Sequence, residues 1–270
     1  MNAPVSSALL GFLYPSLLAC LILTGIHAYL GMHLAERGIV FAALALPQLA
    51  ALGTTLAFLA GYDLHSWMTY AFSLGLTIAG AVILAFTRAQ EAVIGTVYAV
   101  AAAAAVLAIS HAPEATEHLK EILAGDLLTV SKHAVAETAA IYAAVGIVHW
   151  IVRRRLTDFA FYASLAVVVT SSVAIAGVLV VFAYLVAPAV AARLFTRSAG
   201  KRLAIGWTMG AVVSAIGILL SLWADVPTGA TIVCTFGIAL LLLATVSLAR
   251  RSRNGRVCKS ADARPGLRSG

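Results

Sequence analysis

The sequence predicts an all-α fold: a polytopic transmembrane helical bundle of about eight or nine membrane segments, with its N-terminus outside and its C-terminus inside. Two features of the composition predict it, since 62% of the 270 residues are hydrophobic and 11% are charged. A soluble globular chain is about 45–50% apolar and about 25% charged. Too little polar sequence therefore remains to cover a water-exposed surface. A series of long apolar runs is the third feature.

These runs divide the chain into its predicted spans. A membrane-spanning helix needs about 20 mainly apolar residues, and all the runs are long enough. The run that follows the arginine triplet 153–155 is much longer than the others, so it decides the number of spans. In chain order the runs are 8–30, 39–60, 67–86, 92–110, 134–152, 159–194, 203–223 and 228–249.

The distribution of positive charge predicts a break in the long run near Gly177, because cytoplasmic loops carry an excess of Lys and Arg. A single helix would put the triplet 153–155 and the basic cluster 193–202 on opposite sides of the membrane. Two short spans, which need not both cross completely, put every Lys and Arg except Lys120 and Lys132 on the cytoplasmic side. We therefore predict about nine segments.

The domain organisation follows from the same charges. Residues 1–249 are predicted to form the transmembrane domain, and residues 250–270 a basic, disordered cytoplasmic tail. The formal net charge of +7 does not indicate nucleic-acid binding, because the tail holds much of the positive charge. Such a tail is typical of an anchor to anionic lipid or of an overhang without a partner.

The side opposite the positive charges is predicted to be acidic and to carry several histidines. Its residues include Asp126, His133 and Glu137. Carboxylate and imidazole groups are ordinary ligands of divalent cations. The pattern fits a mouth that attracts such a cation or the protein that delivers it, and it equally fits loops that are merely solvated. Within the outer loop 111–132, residues 114–124 are predicted to form a short amphipathic helix capped by Gly125.

Polar residues inside the spans are candidates for a transport path, because they are expensive in lipid. Gln48 follows Pro47 in the second span, His27 lies late in the first, and Glu137 lies one turn into the fifth. Gln48 could equally hold two helices together, and His27 and Glu137 could lie at headgroup level. Hydroxyl groups could line a hydrated path or pack between helices, namely those of Thr54, Thr55, Thr170, Ser171, Ser172 and Ser214.

Soluble catalytic motifs are missing from the sequence. Gly200 and Lys201 resemble the end of a phosphate-binding loop, but Arg202 follows where Ser or Thr is needed. There is no HExxH and no G-x-S-x-G. We therefore predict that the chain is not an enzyme and that any ATP hydrolysis belongs to a separate chain.

Five segments, taken in order, resemble the manganese, zinc and iron uptake permeases of ABC transporters. The likeness extends from Gly38 to about Ala249. No one segment is diagnostic, but their common order makes chance an unsatisfactory explanation. The segments are 91–95 (EAVIG), 122–131 (ILAGDLLTVS), 173–181 (VAIAGVLVV), 185–193 (LVAPAVAAR) and 225–230 (DVPTGA).

The resemblance implies an integral membrane subunit of an importer in the bacterial cytoplasmic (inner) membrane. Its transported substrate would be a divalent transition metal, with zinc as the first expectation and manganese or iron as alternatives. It implies a cytoplasmic ATP-binding subunit, an extracytoplasmic metal-binding protein and a second permease chain, most simply in a homodimer surrounded by membrane lipid. It implies neither a permanently bound cofactor nor a nucleic-acid partner.

We predict that the metal path uses Gln48, Glu137 and His27, with His133 and Asp126 at the outer mouth. Many members of the family carry a carboxylate and a histidine in the second span, whereas this chain reads IVFAALALPQ there. Gln48 is the nearest polar substitute. The predicted surface for coupling to the ATPase consists of Arg153, Arg154, Arg155, Asp158, Arg193, Arg197, Lys201 and Arg202.

Two other functions remain open from the sequence. A secondary transporter driven by an ion gradient needs an intramembrane acid that loads and releases protons, and only Glu137 is placed near that role. A membrane scaffold derived from a permease, without transport, would explain the missing carboxylate and histidine of the second span.

Overall fold

The computed structural model describes residues 3–87, 91–110, 122–125, 127–152 and 157–262, with side chains given between Leu13 and Ala249. Within these ranges the chain forms nine helices and no strand, and each helix contains a stretch long and apolar enough to cross a membrane. The prediction of an all-α bundle of about eight or nine segments is confirmed. The helices are α1 Ala3–Glu36, α2 Ala42–Leu59, α3 Trp67–Phe86, α4 Glu91–Ser110, α5 Lys132–Val152, α6 Asp158–Ala176, α7 Val178–Phe195, α8 Ala199–Ala224 and α9 Thr228–Asp262.

The long apolar run is two helices joined by Gly177 alone. This glycine has φ 79° and ψ 164°, a conformation open essentially only to glycine. At the start of α6, Asp158 pairs with Arg37, while near the end of α7 the Arg193 guanidinium donates to the Ala35 carbonyl at 2.8 Å. Because both outer ends return to the end of α1, the chain reverses at Gly177. The predicted break is confirmed, and Asp158 and Arg193 lie at one end of the bundle.

We name the two ends of the bundle by their residues, the Gly177 end and the Arg37 end. Alternation of the nine helices puts the start of α1 at the Gly177 end, and α9 runs toward the Arg37 end. This agrees with termini on opposite sides of the membrane, and which side is outside stays a prediction. The backbone of α9 continues past the predicted domain boundary at residue 249 to Asp262.

Three glycines from three segments meet at the Gly177 end. A side chain at Gly177 would place its Cβ 2.6 Å from the Gly125 nitrogen, and one at Gly229 would collide with the Ala124 carbonyl. Gly125 has φ 70° directly after helical residues 122–124, in agreement with its predicted role as a cap. Residues 114–121 of the predicted amphipathic helix 114–124 lie outside the described residues.

The core lies around α1, α2, α6 and α7, which contribute most of the buried apolar residues. Close approach of α1 and α8 depends on Gly210, where any Cβ would collide with the Thr24 side chain. Gly206, one turn away, packs on Ala28 and Pro188. Gly206 and Gly210 therefore allow close helix contacts within one chain.

Other helices present apolar side chains outward. On α4, Val106 and Leu107 are exposed, on α5 Ile151, and on α9 Leu241 and Leu248. A surface of this kind must be covered by lipid or by another protein chain. The bundle thus has a packed core around α1, α2, α6 and α7 and an exposed apolar periphery that includes much of α4, α5 and α9.

Candidate functional site

A cleft of about 770 Å³ lies between α1 and α5, with Trp207 of α8 at its edge. Its α1 wall is a single helical stripe, since Tyr29, His33 and Arg37 recur every four residues. Its α5 wall carries Tyr142 and His149 on one face of that helix. The cleft therefore extends from Tyr142, near the middle of α5, to the two imidazoles and the positive charge at the Arg37 end.

Two histidines face this cleft from different helices. The Nδ1 atom of His33 lies 2.9 Å from the Tyr29 carbonyl, and the Nε2 atom of His149 lies 2.7 Å from the Ser164 hydroxyl of α6. The Tyr29 ring is 4.5 Å from the His33 ring and 5.7 Å from the His149 ring, measured between centroids. Tyr29 thus contacts both imidazoles.

A buried chain of hydrogen bonds lies beside the cleft. The Nε2 atom of His27 lies 3.0 Å from the Ser172 hydroxyl, which lies 2.5 Å from the Tyr142 hydroxyl. The Nδ1 atom of His27 donates to the Leu23 carbonyl at 2.8 Å. All three side chains are buried, and Tyr142 also lines the cleft. The chain links α1, α5 and α6 in the part of the bundle where an unpaired polar group is most costly.

The hydroxyl groups predicted to line a hydrated path or to pack between helices are mostly bonded to their own helices. Thr54 and Thr55 donate to carbonyls four residues earlier at 3.1 and 2.9 Å, and Ser214 does the same at 2.5 Å. Ser214 also bonds to the buried Tyr184 hydroxyl. Among the described residues, these contacts favour packing between helices over a hydrated path.

The Arg37 end brings together charged residues from three connections. Besides pairing with Asp158, the Arg37 guanidinium lies 4.4 Å from the centroid of the Phe161 ring. The Arg202 guanidinium at the start of α8 lies 3.2 Å from the Glu36 carboxylate. The last turn of α1 is therefore tied to the start of α6, the end of α7 and the start of α8. The α7–α8 connection beside it leaves Arg197 exposed.

The family model described as "ABC 3 transport family" matches residues 10–168 and 152–247. The two matches together extend over almost the whole bundle. The chain belongs to the ABC 3 transport family. The resemblance inferred from the five sequence segments is thus confirmed.

A curated relative of this ABC 3 family member is the "Probable iron transport system membrane protein" of Haemophilus influenzae. The two are 30% identical over 139 residues, which are 43% of this chain and 50% of the relative. The chain thus spans about half the length of the curated relative it matches.

Two solved structures share the fold of this ABC 3 family member. PsaBC from Streptococcus pneumoniae, solved in complex with Fab, superposes with a TM-score of 0.70 at 21% identity, over 86% of this chain and 90% of that chain. An inward-facing structure described as of the metal-chelate ABC transporter type superposes with a TM-score of 0.69 at 16% identity, over 91% and 90%. At these identities the likeness concerns the fold.

The metal-path residues predicted for this ABC 3 family member do not converge. His27 belongs to the buried chain with Ser172, and Gln48 is buried in α2. At the Gly177 end, His133 and Glu137 form an exposed pair 3.4 Å apart on α5. Asp126 lies outside the described residues. Within the part of the chain that the structure describes, no three His, Cys, Asp or Glu side chains form a group able to hold a metal.

The predicted coupling residues of the ABC 3 family member lie closer together than the predicted metal-path residues do. Arg193 and Arg202 contact the last turn of α1, and Asp158 pairs with Arg37 directly after it. Arg197 and Lys201 are exposed beside them. The triplet 153–155 lies outside the described residues.

Sequence reasoning missed His33 and His149. The signal for His33 was available, because Tyr29, His33 and Arg37 share one helical face by their spacing of four. No comparable signal marked His149, since its relation to His33 depends on how α5 packs against α1.

Proposed function

We propose that this chain is the membrane-spanning subunit of an ABC importer that moves a divalent transition metal across the bacterial cytoplasmic membrane. Zinc is the preferred substrate, and manganese and iron are the alternatives. The subunit works as a homodimer with a cytoplasmic ATP-binding protein and receives metal from an extracytoplasmic binding protein. Membership of the ABC 3 transport family over residues 10–247 carries the proposal.

The charges at the Arg37 end support the part of the proposal that concerns the ATPase. In an importer, the conformational change of the ATPase must be transmitted to the helices that surround the substrate. Contacts of Arg193 and Arg202 tie the α7–α8 connection to α1. Exposed Arg197 on this connection and Lys201 at the start of α8 give a partner a charged surface that lies next to these ties.

Metal uptake tests the proposal directly. Cells starved of metal should accumulate radioactive zinc when they carry this chain with its ATPase, and this uptake should vanish when either chain is absent. Uptake that proceeds without the ATPase, and that follows the proton gradient instead, would replace the importer with a secondary transporter. Normal expression and ATPase binding without uptake of zinc, manganese or iron would identify a scaffold.

Reversing the exposed charges on the α7–α8 connection should weaken coupling. We expect the double variant Arg197→Glu, Lys201→Glu to lower co-purification of the ATPase by about tenfold or more, because a charge reversal at a docking surface adds repulsion. Zinc uptake should fall in parallel. The measurement is the amount of ATPase retained by the affinity-tagged chain in mild detergent.

The matched control for this experiment is Lys132→Glu, which reverses a charge at the Gly177 end. It should leave ATPase retention unchanged. Equal retention by the double variant and the control would remove the α7–α8 connection from the coupling surface.

A further inference from the structure

We propose that His33 and His149 form a two-imidazole site in the α1–α5 cleft that holds a zinc-like divalent metal. As a step in transport, the site rests on the function proposed above. It differs from the metal path predicted from the sequence, because neither histidine belongs to that set. Two side chains from different helices carry the inference.

Hydrogen bonds indicate which nitrogen of each neutral imidazole is available to bind. A carbonyl can only accept, so His33 holds its proton on Nδ1 toward Tyr29 and leaves the Nε2 lone pair bare. The Ser164 hydroxyl lies within hydrogen-bond distance of the Phe161 carbonyl, at 2.8 Å, and of His149 Nε2. When Ser164 donates to the carbonyl, its oxygen accepts from His149 Nε2, and the His149 lone pair is on Nδ1. This is the arrangement that metal-binding histidines use, with one nitrogen hydrogen-bonded and the other free.

The surroundings of the two rings suit a cation. Tyr29 contacts both rings, and the Phe161 ring lies 6.4 Å from His33 and 6.2 Å from His149, measured between centroids. The nearby positive charge of Arg37 is balanced by Asp158. A cation in the cleft thus lies beside the Tyr29 ring and the two imidazoles, and the guanidinium on the described wall is already paired.

The size of the cleft and the number of protein ligands indicate that a metal ion would bind there transiently and not permanently. A volume of about 770 Å³ accommodates a metal ion with much of its hydration shell, since one water occupies about 30 Å³. Two imidazoles would replace two waters and leave the others in place. A structural zinc site uses four protein ligands, so a two-ligand site binds weakly enough to release its ion, as a transport path requires.

The donor set also restricts the metal. Imidazole suits zinc, copper, nickel and iron, whereas manganese and magnesium favour carboxylate and water. No Asp or Glu is found on the described lining of the cleft. The site should therefore prefer zinc or cobalt to manganese.

Metal binding to the purified full-length chain in lipid nanodiscs tests the site without transport. The probe is Co²⁺, whose visible spectrum reports nitrogen ligation, with Zn²⁺ and Mn²⁺ as competitors. His33→Gln and His149→Gln should each raise the Zn²⁺ dissociation constant at least tenfold, because loss of even an outer partner of a ligand costs about 10–100-fold. Glutamine keeps a donor for the Tyr29 carbonyl and for Ser164. The exposed His65→Gln is the matched control and should bind as the unaltered chain does.

Uptake separates failure of this site from failure of the importer. Zinc uptake by the double variant His33→Gln, His149→Gln should be at least about tenfold lower than that of the unaltered chain, while the variant still binds its ATPase. If the unaltered chain takes up no metal, the importer proposal fails. The Co²⁺ binding spectra are then the test of the two-histidine site. Unchanged Co²⁺ binding in the double variant, or full zinc uptake by it, would overturn the site.

Discussion

Replacement of Gly177 by valine is expected to prevent stable folding of the bundle. Valine disfavours the backbone conformation at φ 79°, ψ 164°, at a cost of about 1–3 kcal/mol. Its Cβ would also lie 2.6 Å from the Gly125 nitrogen and 3.0 Å from the Ile122 carbonyl, both of which are backbone atoms. Overpacking of this kind costs about 1–3 kcal/mol more. Together the two effects are a large share of the roughly 5–15 kcal/mol that stabilises a typical protein.

The measurement for Gly177→Val is thermal unfolding in detergent. At each temperature, size-exclusion chromatography gives the fraction of protein that is still monodisperse. Gly75→Val is the matched control, because a Cβ added to Gly75 in α3 would meet no neighbouring atom within 4 Å. It should unfold close to the temperature of the unaltered chain. A similar midpoint for both variants would show that the contact between Gly177 and Gly125 is not needed for the fold.

Removal of the Ser172 hydroxyl should destabilise the chain more than removal of a hydroxyl that bonds only to its own helix, such as that of Thr55. Ser172→Ala leaves the His27 Nε2 atom and the Tyr142 hydroxyl without their shared partner inside the bundle. A buried polar group that loses its partner costs about 1–3 kcal/mol, so two such groups should cost about 2–6 kcal/mol. The free energy of unfolding in denaturant-containing micelles measures this loss.

Thr170 provides the matched control on the same helix. Its hydroxyl is buried and makes no hydrogen bond within the described residues. Thr170→Val should therefore be neutral or slightly stabilising, since it removes a polar atom that gains nothing in the folded state. If Thr170→Val cost as much as Ser172→Ala, the loss would reflect packing of α6 and the hydrogen-bonded chain would have no special role.

The number and arrangement of the helices could be predicted because two independent patterns agreed. Apolar length identified the spans, and the basic clusters 153–155 and 193–202 required a reversal between them. Gly177 was the natural place for it, since glycine alone tolerates the backbone conformation found there. The part of α9 beyond residue 249 was not predicted as helix, because its charge removes the apolar signal on which the prediction relied.

The candidate site was harder to predict, because it depends on pairs of helices. Gln48 and His27 were chosen as polar residues inside apolar runs, which is a property of one helix. His27 instead bonds to Ser172, far away in the sequence. His33 and His149 become neighbours of Tyr29 only when α5 packs against α1. A single sequence carries no measure of that packing.

The end of α1 lines the cleft and also contacts the segment that carries the surface proposed for the ATPase. His33 lies one helical turn before Arg37, and Arg193 and Arg202 hold residues of that same last turn. No separate relay is needed between the two regions, because α1 itself takes part in both. We expect that movement of the α7–α8 connection, when the proposed ATPase closes, changes the tilt of α1. This change would alter the distance between His33 and α5. Nucleotide hydrolysis on another chain could in this way set how long a metal ion stays in the cleft.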